Sequence, residues 1–203
     1  MFTGIIQHVG KGHFNGLKLI IENPWKNLRN SSQSISIGES IAVNGVCLTV
    51  VNVDENLYFD VGEETLKRTN LSKERYFNLE RALKIGDSLS GHYITGHIDG
   101  MITLISRKDL RNSVIMTFKK PKEEWAIVEK GSVAINGVSL TIASVSDESF
   151  TVQVIPHSLE NTNLKYLLPG SCVNYEIDVF ARYVKGVLNA WKKEFYEILD
   201  KIS

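Results

Sequence analysis

One ten-residue sentence is written twice in this chain. Residues 40–49 read SIAVNGVCLT and residues 132–141 read SVAINGVSLT, with seven of ten positions identical at an offset of 92. Self-similarity at a long spacing limits the fold more than composition does, because each copy must be a folding unit of the same kind. The likeness runs on: FTG at 2–4 answers ITG at 94–96, FDV at 59–61 answers FTV at 150–152, and TNL at 69–71 answers TNL at 162–164. NLE at 78–80 also resembles NYE at 174–176. Offsets drifting between 91 and 96 are what small loop changes between duplicated domains produce. The 203 residues therefore divide into two halves joined near 91–93, each large enough for its own core.

Within each copy, Asn-Gly stands between β-branched residues, the strongest short-range hairpin signal. LYFDV at 57–61 and FTVQVI at 150–155 alternate or run apolar over strand length. Short strands at regular spacing with turn residues between them predict a closed antiparallel barrel in each half. Short helices are expected at 62–71 and 156–164. The stretch 184–203 has no counterpart in the first half. There Val184, Leu188, Trp191, Phe195, Ile198 and Ile202 step by 4, 3, 4, 3 and 4, a heptad seam on one helix face. Such a helix can lie on its own barrels or join copies of the chain; the narrow seam flanked by Lys and Glu favours the second.

Charge excludes one function class. Lys+Arg and Asp+Glu both number 23, whereas a protein that grips phosphate backbones carries a basic surplus. The run KKPK at 119–122 reads as a solvated loop. Cys47 and Cys172 lie far apart with no metal-type spacing, which argues against a disulfide framework or a zinc site. MFTGIIQHVGKG lacks the basic flank and apolar run of a signal peptide, and no stretch reaches membrane-spanning length. A cytoplasmic location and no membrane partner are the expectations.

A strand turns successive side chains to opposite faces. Cys47 and Thr49 therefore share one face and Leu48 and Val50 the other; Ser139 and Thr141 repeat the pattern. If the Leu/Val face fills the barrel, the polar face looks outward, either as solvated strand surface or as a ligand platform present twice. The copies differ where chemistry is concerned. Cys47 faces Ser139, and His97 stands where the first copy has Ile5, so a titratable group replaces an apolar one at a single site. His92 lies at the join, while His8, His13 and His157 carry no pattern, and no His pair has metal-ligand spacing. Glu64, Glu80, Glu176 and Asp178 could orient a His or a polyol, or simply form surface pairs. No phosphate loop, hydrolase elbow or dinucleotide fingerprint occurs.

Taken together, MFTGIIQ, NGVCLTV, ETLKRTNL, NLERALK, SGHYITGHIDG, INGVSLT and VIPHSLENTNL, in that order along nearly the whole chain, resemble the riboflavin synthase family of the alpha-subunit type. The resemblance implies a mainly β fold of two tandem homologous six-stranded antiparallel Greek-key barrels plus a C-terminal α-helix. The implied divisions are 1–92, 93–183 and a trimerisation helix at 184–203. It also implies a homotrimer and an association with lumazine synthase. The implied activity is a dismutation without cofactor or metal. Two molecules of 6,7-dimethyl-8-ribityllumazine exchange a four-carbon unit, giving riboflavin and 5-amino-6-(D-ribitylamino)uracil. A duplicated barrel suits a reaction between two identical substrates, because two homologous cradles can hold them in register. The chain departs from the family in a shortened loop before NLERAL and in Asn136, where relatives often carry Asp.

By motif, the resemblance places one cradle on the first barrel, at Gly4, Ile5 and Ile6, at Cys47, Leu48 and Thr49, and along Asp60, Val61, Gly62, Glu63, Glu64 and Thr65, with Phe2 covering a ring. It places the other on the second barrel, at Gly96, His97 and Ile98, at Lys130, and at Ser139, Leu140 and Thr141. That cradle continues through Gln153, Val154, Ile155, Pro156, His157 and Ser158. Backbone groups would read the heterocycle, and Thr and carboxylate groups the ribityl hydroxyls. Because the 7-methyl group is acidic, His97 is expected to assist proton transfer. Cys47 or a water beside it is expected to add to C7 of the acceptor, with Ser139 and Ser40 hydrogen bonding. The rival is a non-catalytic lumazine- or flavin-binding optical protein on the same fold, against which Cys47, His97 and Ser139 all stand.

Overall fold

The computed structural model describes residues 1–26 and 34–202, with the side chains of 194 and 196–202 outside that description. The first half forms a closed barrel of β1 (His8–Asn15), β2 (Lys18–Glu22), β3 (Ser40–Val43), β4 (Val46–Val53), β5 (Asn56–Asp60) and β6 (Tyr76–Arg81). The second is closed by β7 (Gly100–Leu110), β8 (Ser113–Lys119), β9 (Ser132–Ile135), β10 (Val138–Val145), β11 (Ser149–Val154) and β12 (Cys172–Ile177). The circuit β1-β2-β5-β4-β3-β6 recurs as β7-β8-β11-β10-β9-β12, antiparallel throughout, so each barrel is the same Greek key. Two short helices, α1 (Glu63–Arg68) and α2 (Pro156–Glu160), follow β5 and β11. A long helix, α3 (Val179–Ile202), leaves β12 and opens ahead of the Val184 seam. No helix among the described residues is long and apolar enough to cross a membrane.

Strand register corrects one sequence alignment. Val50 pairs with Phe59 and Ile142 with Val152, so Phe59, Asp60 and Val61 answer Val152, Gln153 and Val154 at an offset of 93. The FTV at 150–152 is not the counterpart, because the β10–β11 turn is one residue longer than the β4–β5 turn. Alternation fills each barrel as expected: Leu48, Val50, Leu140 and Ile142 are core, while Thr49 and Thr141 are exposed. A third, smaller apolar cluster of Phe2, Ala42, Ile94 and Ala134 lies between the barrels, joined by the antiparallel bridge Phe2–Ile94.

The barrels are locked to each other by buried amides. In both hairpins the Asn and Gly have positive φ (Asn44 48°, Gly45 82°; Asn136 46°, Gly137 77°), the left-handed pair a two-residue turn demands. The two turns meet backbone to backbone: a Cβ on Gly137 would lie 2.6 Å from the Gly45 nitrogen. Around this contact stand six asparagines in exchanged pairs, all 0–2% exposed. The Asn78 side-chain amide donates to the Asn136 carbonyl at 2.9 Å, and that of Asn174 donates to the Asn44 carbonyl at 2.9 Å. Asn78 Oδ1 accepts the Asn163 N–H at 2.6 Å, and Asn174 Oδ1 accepts the Asn70 N–H at 2.7 Å. Asn44 Oδ1 accepts the Asn163 side chain at 3.0 Å, and Asn136 Oδ1 that of Asn70 at 3.1 Å. Each bond has its mirror in the other half, which defines an approximate twofold axis through the turns. An amide offers donor and acceptor together whereas an ionised carboxylate only accepts, so aspartate in place of Asn136, which donates to Asn163 Oδ1 at 3.3 Å, would lose that bond.

Along α3 the seam does not lie on the chain's own barrels: Val184, Leu188, Trp191 and Phe195 are each about half exposed or more. Ile198 and Ile202, the last seam residues, fall outside the described side chains.

Removing one amide leaves buried backbone groups on the other barrel without a partner. Asn78→Ala should therefore destabilise by about 2 kcal/mol or more, with Asn78→Ala and Asn163→Ala clearly non-additive in a urea-denaturation cycle. Additive losses below about 0.5 kcal/mol each would contradict a coupled lock.

Candidate active site

The polar strand faces sit beside loops donated by the opposite half. In the second half the segment 95–98 leaves the chain before β7, crosses the axis, and its Gly96 carbonyl accepts the Cys47 N–H at 2.9 Å. The first half reciprocates: the Gly4 carbonyl accepts the Ser139 N–H at 3.0 Å. Ile98 packs on the first barrel's core and Ile6 on the second's. The approach is so close that a Cβ on Gly96 would lie 2.5 Å from Cys47 Cβ, and one on Gly4 2.6 Å from Ser139 Cβ. This corrects the expected division of the cradles. Gly96, His97 and Ile98 belong with Cys47, Leu48 and Thr49, while Gly4, Ile5 and Ile6 belong with Ser139, Leu140 and Thr141. The cause is the twofold lock, which places each N-terminal segment against its neighbour's hairpin.

Two buried glutamates hold the crossing loops. Glu80 Oε1 accepts the Thr3 N–H at 2.6 Å and the Thr3 hydroxyl at 2.7 Å, and its Oε2 accepts the Gly4 N–H at 2.9 Å. Glu176 repeats the grip on Thr95 (2.7 and 2.7 Å) and Gly96 (3.0 Å). Burial holds both carboxyls above the ordinary range, an effect these donors only partly offset. Their role is structural, as is that of Glu64, an exposed partner of Arg68 on α1. Asp178 accepts the Phe180 N–H at 2.9 Å and caps α3.

The two resulting sites are chemically unequal. On the first barrel, Cys47 is half-buried and Thr49 exposed, with the exposed His97 on the adjoining loop. Ser40 lies opposite Thr49 on the same face, and Ala42 opposite Cys47. On the second barrel, Ser132 lies opposite Thr141 and Ala134 opposite Ser139. Ser139 Oγ is 2.7 Å from His92 Nδ1, the direction of that bond depending on the imidazole tautomer. His92 is 9% exposed, and its Nε2 is a buried nitrogen with no hydrogen-bond partner in the chain. Burial lowers its pKa, and the nearby Asp178 charge partly offsets this. Sequence reasoning passed over His92 because an offset of 92 leaves it no counterpart in the first half. The only signal was its place in SGHYITGH, two residues after Ser90 and five before His97.

The remaining residues fall into three groups. Leu48, Val61, Leu140 and Val154 are core side chains, able to offer a ligand only backbone groups. Phe2 is 0% exposed in the inter-barrel cluster and has no face left to cover a ring, which corrects that expectation. The rims are accessible. Gly62 precedes α1 with open space around it, and Thr65 is half-buried in that helix. Asp60 pairs with Lys18 at 2.6 Å, and Glu63 is an exposed partner of Lys67. Across the axis, Gln153 donates to Ser113 Oγ at 2.8 Å. Ile155 precedes Pro156, His157 and Ser158 of α2, with Ile155 and His157 exposed. Lys130 is exposed with φ 64°, where the equivalent Gly38 has φ 87°. Among the described residues, no cluster of three or more His, Cys, Asp or Glu could hold a metal ion. A cleft of about 670 Å³ lined by Lys11, His13, Phe14, Lys73 and Arg75 lies on the outside of the first barrel, away from both polar faces.

The lumazine binding domain family matches residues 3–82 and 95–178, one match per barrel. The riboflavin synthase of Actinobacillus pleuropneumoniae is 42% identical over 197 residues, covering 93% of this chain and 90% of its own. That of Brucella abortus is 41% identical over 198 residues, covering 90% and 96%. Among solved structures, LumP complexed with riboflavin is similar with a TM-score of 0.76 and 29% identity, covering 87% of this chain and 99% of its own. LumP complexed with 6,7-dimethyl-8-(1'-D-ribityl) lumazine is similar with a TM-score of 0.74 and 28% identity, covering the same shares.

Phe2→Ala should cost about 3–5 kcal/mol of stability, because it empties the inter-barrel cluster. A melting curve matching the parent's would return Phe2 to the list of ligand contacts. Lys130→Gly should raise stability by about 1 kcal/mol by relieving the left-handed backbone. Unchanged or lower stability in a denaturant titration would contradict that.

Proposed function

The chain belongs to the lumazine-binding, riboflavin synthase family, and we propose that it converts two molecules of 6,7-dimethyl-8-ribityllumazine into riboflavin and 5-amino-6-(D-ribitylamino)uracil. A four-carbon unit passes from one lumazine to the other. The two substrates together contain every atom of the two products, so the exchange balances without an oxidant or reductant. The observation that carries this reading is the unequal pair of homologous sites, Cys47 with His97 on one barrel and Ser139 with His92 on the other. That inequality suits a dismutation of identical molecules, since one must donate carbon and the other accept it.

At the second site, neutral His92 takes a proton from the bound lumazine by way of Ser139, whose Oγ lies 2.7 Å from Nδ1, and the 7-methyl group is the acidic position. At the first site, Cys47 or a water beside it adds to C7 of the acceptor while His97 carries the accompanying proton. Thr49, Thr65, Thr141 and Ser158 are suited to the ribityl hydroxyls, and Gly62 leaves room for the ring system. Lys130, kept in a conformation that glycine would adopt more readily, is suited to an exposed polar part of the second ligand.

The encounter calls for a second copy. Within one chain the cluster of Phe2, Ala42, Ile94 and Ala134 stands between the two polar faces, with Cys47 packed on it. The proposed assembly is a homotrimer joined through the exposed α3 seam, in which the first barrel of one copy meets the second of its neighbour. A cytoplasmic location fits this activity. A non-catalytic optical protein like LumP is the second reading. The enzyme is favoured by the higher identity to relatives called riboflavin synthase, 42% against 29%.

Purified protein mixed with the lumazine alone should develop riboflavin fluorescence. Persistent lumazine emission without riboflavin would instead identify a binding protein. Cys47→Ser and His97→Gln should each lower kcat by about tenfold or more, as the loss of a positioned acid–base or nucleophilic group does. Normal turnover in both would remove them from the mechanism. His92 is lowered from 6.5, so its neutral form persists down to pH values below 6.5. The acid limb of the kcat profile should therefore have its midpoint below 6.5, and a midpoint above it would exclude neutral His92 as the base.

A further inference from the structure

We propose that Asp99 and Arg182 form a positioning pair that ties the first turn of α3 to the loop carrying His97, so that the seating of α3 sets where this imidazole stands. The inference rests on the reading of His97 as a participant at the first site.

The loop is pinned to β12 at both ends. Glu176 holds Thr95 and Gly96, while the Asp99 N–H donates to the Tyr175 carbonyl at 3.0 Å. Asp99 Oδ2 accepts the Ile177 N–H at 3.0 Å. His97 lies midway, with its own N–H bonded to Thr95 Oγ1 at 3.3 Å. The first half has the same frame: Gln7 N–H donates to the Leu79 carbonyl at 3.0 Å, and Gln7 Oε1 accepts the Arg81 N–H at 3.2 Å. Gln7 and Asp99 are therefore equivalent positions. The half that has exchanged Ile5 for His97 has also exchanged a neutral amide for a carboxylate.

That carboxylate reaches the one long element without a duplicate. Arg182 Nη2 contacts Asp99 Oδ1 at 2.8 Å and Oδ2 at 3.0 Å, with Asp99 only 8% exposed and Arg182 47% exposed. A backbone bond to Ile177 would be met equally well by an amide, as Gln7 demonstrates. The charge is needed only for the helix. Two further contacts seat the same turns: Phe180 packs edge-on against Tyr93 at 5.7 Å, and Lys185 lies 5.6 Å over Trp125. Packing of the exposed α3 seam against other copies can thus be felt at His97 through one ion pair and the two loop residues Asp99 and Ile98.

The test compares Arg182→Gln and Arg182→Lys with the parent enzyme. Because a single guanidinium nitrogen serves both carboxylate oxygens, a lysine ammonium can take its place. Arg182→Gln should lower kcat by about tenfold, as misplacement of a reacting group does, with KM changed by less than about twofold and oligomeric mass unchanged. The His97 imidazole resonances should shift in the NMR spectrum. Arg182→Lys should restore both kcat and the resonances. The pair is not a positioning device if Arg182→Gln keeps parent kcat and His97 resonances, or if Arg182→Lys fails as Arg182→Gln does. Absence of riboflavin from the parent protein would instead defeat the enzymatic reading, and the His97 resonances would still report on the pair.

Discussion

Everything in this molecule is arranged around a buried amide lock. Six asparagines, each meeting its partner from the other half, join two barrels at a pair of left-handed turns that touch through glycine backbone. Neutral amides suit the place because a buried carboxylate would bring a desolvation cost that no cation there offsets. The lock is directional: the side chains of Asn70, Asn78, Asn163 and Asn174 each bond a specific backbone group across the axis, so the barrels have one mutual orientation rather than a greasy contact that could slide.

From that orientation the sites follow. With the hairpins back to back, the segment leading into each barrel falls on the other barrel's polar strand, where Glu80 or Glu176 fixes it. Each site is then a composite of both halves, and the two differ at three places: Cys47 against Ser139, His97 against Ile5, and His92 on one side alone. Duplication supplies the symmetry of the two polar faces, and substitution breaks it at the positions to which the proposed reaction assigns a donor and an acceptor. The same break extends outward, since Asp99 replaces the amide of Gln7 and engages α3.

Much of this was legible in the sequence. The Asn-Gly hairpins, the inward Leu and Val, the outward Cys47/Thr49 and Ser139/Thr141, and the helices after β5 and β11 all follow from periodicity and turn chemistry, which are local. What stayed hidden depends on partners. Asn44 and Asn136 read as turn residues, and nothing in TNL says that Asn70 and Asn163 reach across to the other barrel. The exchange of loops escaped for the same reason, because order along the chain does not say which hairpin a segment lands on. Phe2, which the resemblance implies as a ligand cover, is sealed by the strand bridge to Ile94. His92 was missed because comparison between copies finds only residues that have a copy.

An apolar wedge keeps the two polar faces of one chain apart, which is why the proposed carbon transfer is one between chains. Complementation addresses this most directly. Cys47→Ala/His97→Ala spoils one site and His92→Ala/Ser139→Ala the other, and each double variant should be nearly inactive alone. Refolded together, they should recover riboflavin formation, because some contacts then pair an intact first barrel with an intact second barrel from a different copy. A mixture as inactive as its components, despite forming mixed oligomers, would mean that both sites act within a single chain and would contradict this account.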